Sequence, residues 1–415
     1  MEFRVPYGKS QIGFSVPDTY TVEWIGPELR NVKPYHSIQD AIENPLGAVP
    51  DLRQVKSVAI AFPDKTRPMR PEALFTLLRW LHRHDLWPEA ITILIATGTH
   101  TPMKAEDYGP ALTDAAKNYR VISHDCDDVE KLAYYGETTR GTPVWVNREF
   151  VRADLRVVIG NIEPHQFMGF SGGVKSAAIG LTGRETINRN HALMVEPGAD
   201  LGRYEDNPVR QDVEEIGRMI GVNLAINTIL DFDKDIAHVF AGDPVDVMKA
   251  GIPLVRKEYE IQVETPFDVV ITAPGGHPKD INLYQAQKAL SHASRVTKDG
   301  GTVILVAACP EGTGNARYEQ WIKGMTSHEA VLERFAQEEF RLGPHKAFQI
   351  ARDAVRIKPL IKSEMADEFV RSLLLTPIQD VTDTLQAVLR DLPDDARIGV
   401  IPIANATIPV LCPKP

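Results

Sequence analysis

The sequence predicts an α/β protein of two domains, each with a mostly parallel sheet covered by helices, and with the active site in the cleft between them. Three observations carry that expectation. Apolar runs of strand length alternate with segments of helical periodicity, the pattern of a parallel sheet whose crossovers cover both faces. The chain has 415 residues, enough for two or three domains at roughly 100–200 residues each. Two separate strand–helix series occur, divided by a polar stretch around Lys257–Pro266. The expected division is 1–264 and 265–415, each an α/β domain.

In the first series, Val58–Phe62 reads as a buried strand followed by a turn at Pro63–Pro68. Leu74, Leu77, Leu78 and Leu81 then recur at i, i+3, i+4, i+7, the stripe of an amphipathic helix started near Pro71. Ile91–Ala96 and Leu155–Ile159 are further strands. Asn207-Pro208 supplies an N-cap and an N1 proline for a helix with Val209, Val213, Ile216 and Ile220 on one face. The second series contains strands at Val269–Ala273, Thr302–Ala307 and Ile398–Ile401, with a helix near Asn282–Arg295.

Composition narrows the function classes. The chain is 43% hydrophobic and 25% charged, near the globular average, with 46 basic against 56 acidic side chains. A net charge of −10 argues against nucleic-acid binding, which needs a basic face against phosphate. No run of about 18 apolar residues exists and the N-terminus has no apolar leader core, so neither a membrane span nor a secretion signal is expected. Cys126, Cys309 and Cys412 are scattered with no CxxC pair, which fits a reducing, cytoplasmic setting and excludes a thiolate-rich metal site.

Open α/β sheets bind ligands beyond the carboxyl ends of their strands, and three such loops are rich in functional groups. Asp64-Lys65-Thr66-Arg67-Pro68 follows the first strand, and Thr97-Gly98-Thr99-His100 the second. Glu163-Pro164-His165 follows the third and runs into Gly169–Ser176, with His191 further on. Arg67 offers a planar fork for a carboxylate. The histidines can serve as acid, base or metal ligand. Singly, each has an ordinary role: Arg67 in a surface ion pair, His100 capping a loop, His165 closing a turn, His191 bonding a helix end, Lys175 solvated. Placement after successive strands lifts them above those roles.

Other motifs fail. Gly169–Ser176 lacks the glycine that a P-loop requires before its lysine, because Val174 stands there, although its backbone N–H groups could still meet a phosphate. Asp231, Asp233 and Asp235 open like a calcium loop, but Ile236 and Gly242 occupy the positions of its glycine and glutamate. Gly312-Thr313-Gly314 is a turn, since Arg317 replaces the third glycine of a dinucleotide fingerprint. Gln285 and Lys288, three apart, share a helical face, and Pro344–Phe348 forms a polar–aromatic cluster.

Together, Asp64-x-x-Arg67-Pro68, Gly98-Thr99-His100, His165, the glycine-rich Lys175 segment, Asn190-His191 and Tyr284-Gln285-x-x-Lys288 resemble the lactate racemase family in order and spacing. That resemblance implies a racemase or epimerase inverting C2 of a 2-hydroxy carboxylate, lactate or a relative. It works by reversible hydride transfer to a nickel-pincer nucleotide (pyridinium-3-thioamide-5-thiocarboxylic acid mononucleotide carrying nickel). It implies that Lys175 tethers the cofactor, with Asp64, Gly172, Gly173 and Ser176 beside it, and that His191 ligates nickel. His100 and His165 become the paired acid/base groups; Arg67, Gln285 and Lys288 bind substrate. The partners implied are a small 2-hydroxy acid and the enzymes that make the cofactor. Two alternatives compete from the residues alone: a zinc hydrolase ligated by His100, His165 and His191, and a non-catalytic nucleotide- or anion-binding protein.

Overall fold

The computed structural model describes residues 1–26, 37–67, 71–231 and 234–412. The chain forms two compact units, Leu29–Lys257 and Met1–Glu28 with Glu258–Pro415. Each is an α/β unit built on a six-stranded sheet.

In Leu29–Lys257 the strands lie in the order Ile236–Gly242, Leu224–Leu230, Leu155–Asn161, Val58–Pro63, Ile91–Ala96 and Arg120–Ser123. All neighbours are parallel except the first pair, an antiparallel hairpin. Val58–Pro63 is buried at every position, as a central strand covered on both faces must be. The helix Pro71–His82 presses Leu74, Leu77, Leu78 and Leu81 onto Ile60, Ile93 and Val157, each such leucine stabilising the fold by about 1.5–3 kcal/mol. Register sets where the loops emerge. Pro63 pairs with Ala96, so Asp64 and Thr97 leave the sheet at one level.

The second unit orders its strands Thr376–Pro377, Lys358–Lys362, Thr297–Val306, Phe267–Thr272, Arg397–Ile401 and Thr21–Trp24, all parallel. The last of these corrects the expected division at 264. Thr21–Trp24 pairs with Arg397–Val400, and Val5, Phe14 and Val16 are buried among Val269, Ile271 and Ile304. The first residues therefore belong with the C-terminal ones. At the other boundary the division falls at Glu258, near the end of the helix Pro244–Tyr259, and the strand Glu260–Val263 pairs with Ile408–Leu411 in the second unit.

The expected helix starts hold. The helix Pro208–Met219 starts at Asn207, whose side chain accepts from Arg210 N–H, and Leu283–Ser294 is capped by Asn282. Asp231 and Asp235 close the turn of the antiparallel hairpin through a backbone bond of 2.8 Å; Asp233 lies outside the described residues, as does Pro68. Among the described residues, no helix is long and apolar enough to cross a membrane.

Leu77 is fully buried. Leu77→Ala is expected to lower unfolding free energy by about 2–5 kcal/mol, read as a reduced urea midpoint at unchanged slope.

Candidate active site

The first loop is organised by its aspartate. Asp64 Oδ1 accepts from Thr66 Oγ1 at 2.6 Å and Thr66 N–H at 3.1 Å, and Arg67 N–H closes the turn on Asp64 O at 3.2 Å. This turn leaves the Arg67 side chain exposed. Asp64 Oδ2 meets His100 Nδ1 at 2.6 Å. The Asp64 side chain is 5% exposed and the imidazole 44%. Burial opposes the carboxylate's charge, but the bond and charge of His100, with help from Thr66 and Arg67, win and hold its pKa below the ordinary value. In neutral His100 the carboxylate keeps the proton on Nδ1, so Nε2 carries the lone pair.

His100 reaches that position through a tight turn, its N–H on Thr97 O at 3.0 Å. Gly98 adopts φ +56° and donates to Gly180 O at 3.0 Å, which ties this loop to the end of the Lys175 segment.

The third loop folds back on itself. Pro164–His165 pairs with Gly169–Phe170 as a two-residue antiparallel ladder, so His165 does close a turn. Its Nδ1 accepts from Met168 N–H at 3.3 Å. Gly169 is required there: φ is +73°, and a Cβ would stand 1.5 Å from Arg203 O. Phe167 meets the rings of both His165, at 4.8 Å, and His191, at 5.3 Å. His191 occupies the last turn of the helix Arg184–Ala192, with Nδ1 on Asn190 Oδ1 at 3.1 Å.

The glycine-rich segment between them is held from below. Arg210, fully buried, donates to Phe170 O and Gly172 O, both at 3.1 Å, and pairs with Glu214 at 2.5 Å. Asn227 Oδ1 takes Gly173 N–H at 2.6 Å, and Ser171 N–H goes to Glu163 O. Those amides are therefore engaged within the protein rather than arrayed around an anion. A short helix, Lys175–Ala178, follows, with Ser176 Oγ donating to Ile159 O at 3.0 Å. Gly172 and Gly173 shape this passage, and Ser176 anchors it.

Thus Asp64 and His100 touch, His165 and His191 share Phe167, and the Lys175 segment is bonded to the His100 turn. His100, His165 and His191 do not form a three-histidine cluster. The described residues whose donor atoms converge as a metal-binding group would are Asp125, Cys126 and Asp127. In the second unit, Lys288 Nζ donates to Gln285 Oε1 at 2.8 Å on one helical face. Behind them Tyr284 Oη lies 3.4 Å from His345 Nε2, and Lys346 Nζ sits 4.7 Å over the Tyr284 ring. Burial, then the charges of Lys288 and Arg352, push Lys346 far below a lysine's usual pKa.

Sequence reasoning missed Arg210, Glu214, Asp212 and Asn227. Charged Arg210 and Glu214 flank buried Val209 and Val213 on one helix, a signal of a buried pair that helical spacing alone leaves looking like a surface one.

Residues 7–202 match the lactate racemase N-terminal domain family, and residues 262–408 the lactate racemase C-terminal domain family. The chain is 29% identical over 413 residues to a lactate racemase of Thermoanaerobacterium thermosaccharolyticum, covering 96% of this chain and 97% of that protein. It is 32% identical over 327 residues to a lactate racemase of Lactiplantibacillus plantarum, 75% of each. The fold matches the lactate racemase apoprotein of T. thermosaccharolyticum with a TM-score of 0.90 at 29% identity, over 99% of this chain and all of that one. A Thermotoga maritima protein shares the fold at 17% identity and a TM-score of 0.63, covering 87% of this chain and 95% of its own.

Because the Asp64 pKa is depressed in the folded state, its contribution to stability is complete above the ordinary carboxylate pKa and disappears as pH falls through the lower folded value. Chemical denaturation between pH 3 and 7 is expected to show a gap between wild type and Asp64→Asn that is widest near neutrality and closes in acid. A gap independent of pH contradicts the charged pairing with His100.

Proposed function

The chain belongs to the lactate racemase family and is an isomerase, and from that premise we propose that it interconverts the enantiomers of lactate or a closely related 2-hydroxy acid with the aid of a nickel-pincer nucleotide. The observation that carries the reading is topological. Asp64 and Arg67, His100, and His165 leave the carboxyl ends of three neighbouring parallel strands, where α/β sheets bind ligands.

The donor set fits the proposed cofactor. His191 presents an imidazole whose Nδ1 is already engaged, and Lys175 stands at the end of a segment held in shape by Arg210 and Asn227. Imidazole and sulfur donors suit Ni(II). When bound, such a group supplies a hydride acceptor, a capacity that no amino-acid side chain has.

The protein's own groups do the rest in this proposal. Arg67 receives the substrate carboxylate through paired N–H donors. His100 accepts the hydroxyl proton at Nε2, and Asp64 stabilises the imidazolium that results. His165 serves the opposite enantiomer, since each hand presents its hydroxyl differently to a fixed carboxylate site. Gln285 and Lys288 bind substrate on the strength of the family resemblance, and Lys175 tethers the cofactor on the same ground. The enzymes that make the cofactor are then its partners. The free thiols of Cys126, Cys309 and Cys412 support a cytoplasmic protein. A zinc hydrolase is set aside by the family and by the separation of the three histidines, and a non-catalytic role by the family alone.

Co-production with the cofactor-making enzymes is expected to yield nickel-bearing protein that interconverts lactate or another 2-hydroxy acid in a chiral assay. His100→Ala should lower kcat by about 10²–10⁴-fold with nickel retained, and His191→Ala should lose nickel. Lys175→Ala should lose any mass increment on the intact chain. Fully loaded protein that racemises no acid in a broad panel defeats the proposal.

A further inference from the structure

Beneath His191 runs a line of buried hydrogen bonds whose directions are fixed by the atoms themselves. Asn190 is fully buried, and its Nδ2 donates to Val209 O at 3.1 Å and to Asp212 Oδ2 at 2.9 Å. With both amide hydrogens given to acceptors, the atom turned to His191 Nδ1 at 3.1 Å is Oδ1, which can only accept. Nδ1 must therefore carry the proton.

The far end is anchored as firmly. Asp212 is fully buried, and as a carboxylate it only accepts. Thr138 Oγ1 donates to its Oδ1 at 2.6 Å and Thr142 Oγ1 to its Oδ2 at 2.9 Å. Thr142 N–H in turn donates to Thr138 Oγ1 at 3.1 Å, which leaves the Thr138 hydroxyl hydrogen for Asp212. Three neutral donors thus hold a carboxylate out of water, an arrangement that costs stability relative to an apolar side chain of like size. Its polarity runs one way, from Asp212 through the Asn190 amide to the imidazole.

We propose that Asp212 and Asn190 are positioning residues that hold His191 in its Nδ1–H tautomer and thereby make Nε2 the atom offered to nickel. The inference rests on His191 being the metal ligand in the proposed function. Its logic is that of ligating histidines generally, whose second ring nitrogen donates to an oxygen that fixes tautomer and ring angle. An amide alone could turn either edge to the ring. Asp212 removes that freedom by claiming the NH₂ edge.

The test reads the tautomer directly. In ¹⁵N-labelled, metal-free full-length protein, His191 is expected to show the Nδ1–H tautomer, its signals assigned by their loss in His191→Ala. Asn190→Ala should shift it toward Nε2–H, and Asp212→Asn should give a mixture. In cofactor-loaded protein, Asn190→Ala should lose nickel to a chelator with an affinity about 10–100-fold weaker than wild type. An Nε2–H tautomer at His191 in the wild type overturns the proposal, and that reading needs no variant that might unfold. An unchanged tautomer together with unchanged nickel retention in Asn190→Ala overturns it equally. Nickel held as tightly in His191→Ala as in wild type instead removes the ligand assignment, while the metal-free spectrum still decides whether the relay exists.

Discussion

A single buried guanidinium keeps the glycine-rich segment in place. That segment crosses Gly169, Gly172 and Gly173 at positive φ, so its backbone has little intrinsic preference for the path it takes. Arg210 supplies the preference by donating to Phe170 O and Gly172 O from a position with no solvent exposure. Its charge is balanced by Glu214, whose Oε1 also receives Tyr204 Oη at 2.8 Å. Burial keeps that phenol protonated and able to donate. Breaking a pair so buried costs about 3–5 kcal/mol, against about 0–1 kcal/mol for an exposed one. The arrangement is rigid because half of it cannot be tolerated.

The same helix does more than hold that segment. Along Pro208–Met219, Arg210 and Glu214 face the glycine-rich passage, while Val209 O and Asp212 hold Asn190 beside His191. Gly217 lets the helix approach closely, since a Cβ there would lie 2.5 Å from the Val174 side chain. One element thus sets the position of both Lys175 and His191 within this unit, and its own start is pinned by the Asn207 cap and Pro208. The sheet contributes the complementary constraint, bringing the Asp64 and His100 turns off the sheet at one level.

Legibility in the sequence depends on the range of the interactions. Ile91–Ala96 and Pro71–His82 were legible because a largely apolar run of strand length and 3.6-residue periodicity are local patterns. The cap at Asn207 and the helix start near Asn282 were legible for the same reason. Thr21–Trp24 was not: it is short and partly exposed, and only its pairing with Arg397–Val400 makes it a strand of the second sheet. Asp64 was singled out by its place after a strand and by the family resemblance, yet its partner 36 positions away could not be read. Arg210 and Glu214 were missed because a charged i, i+4 pair looks alike whether it faces water or the core.

The two histidines proposed as acid/base partners are chemically unequal in a way that spacing does not reveal. His100 donates Nδ1–H to a carboxylate, whereas His165 Nδ1 accepts from the Met168 amide. In their neutral forms they are opposite tautomers, one with a lone pair on Nε2 and the other with a proton. The Met168 bond, at 3.3 Å, is longer than the 2.6 Å contact between Asp64 and His100. The pair therefore presents unlike atoms, a lone pair on His100 Nε2 and an N–H on His165 Nε2, and the difference comes from the partner each Nδ1 has rather than from the spacing of the two residues.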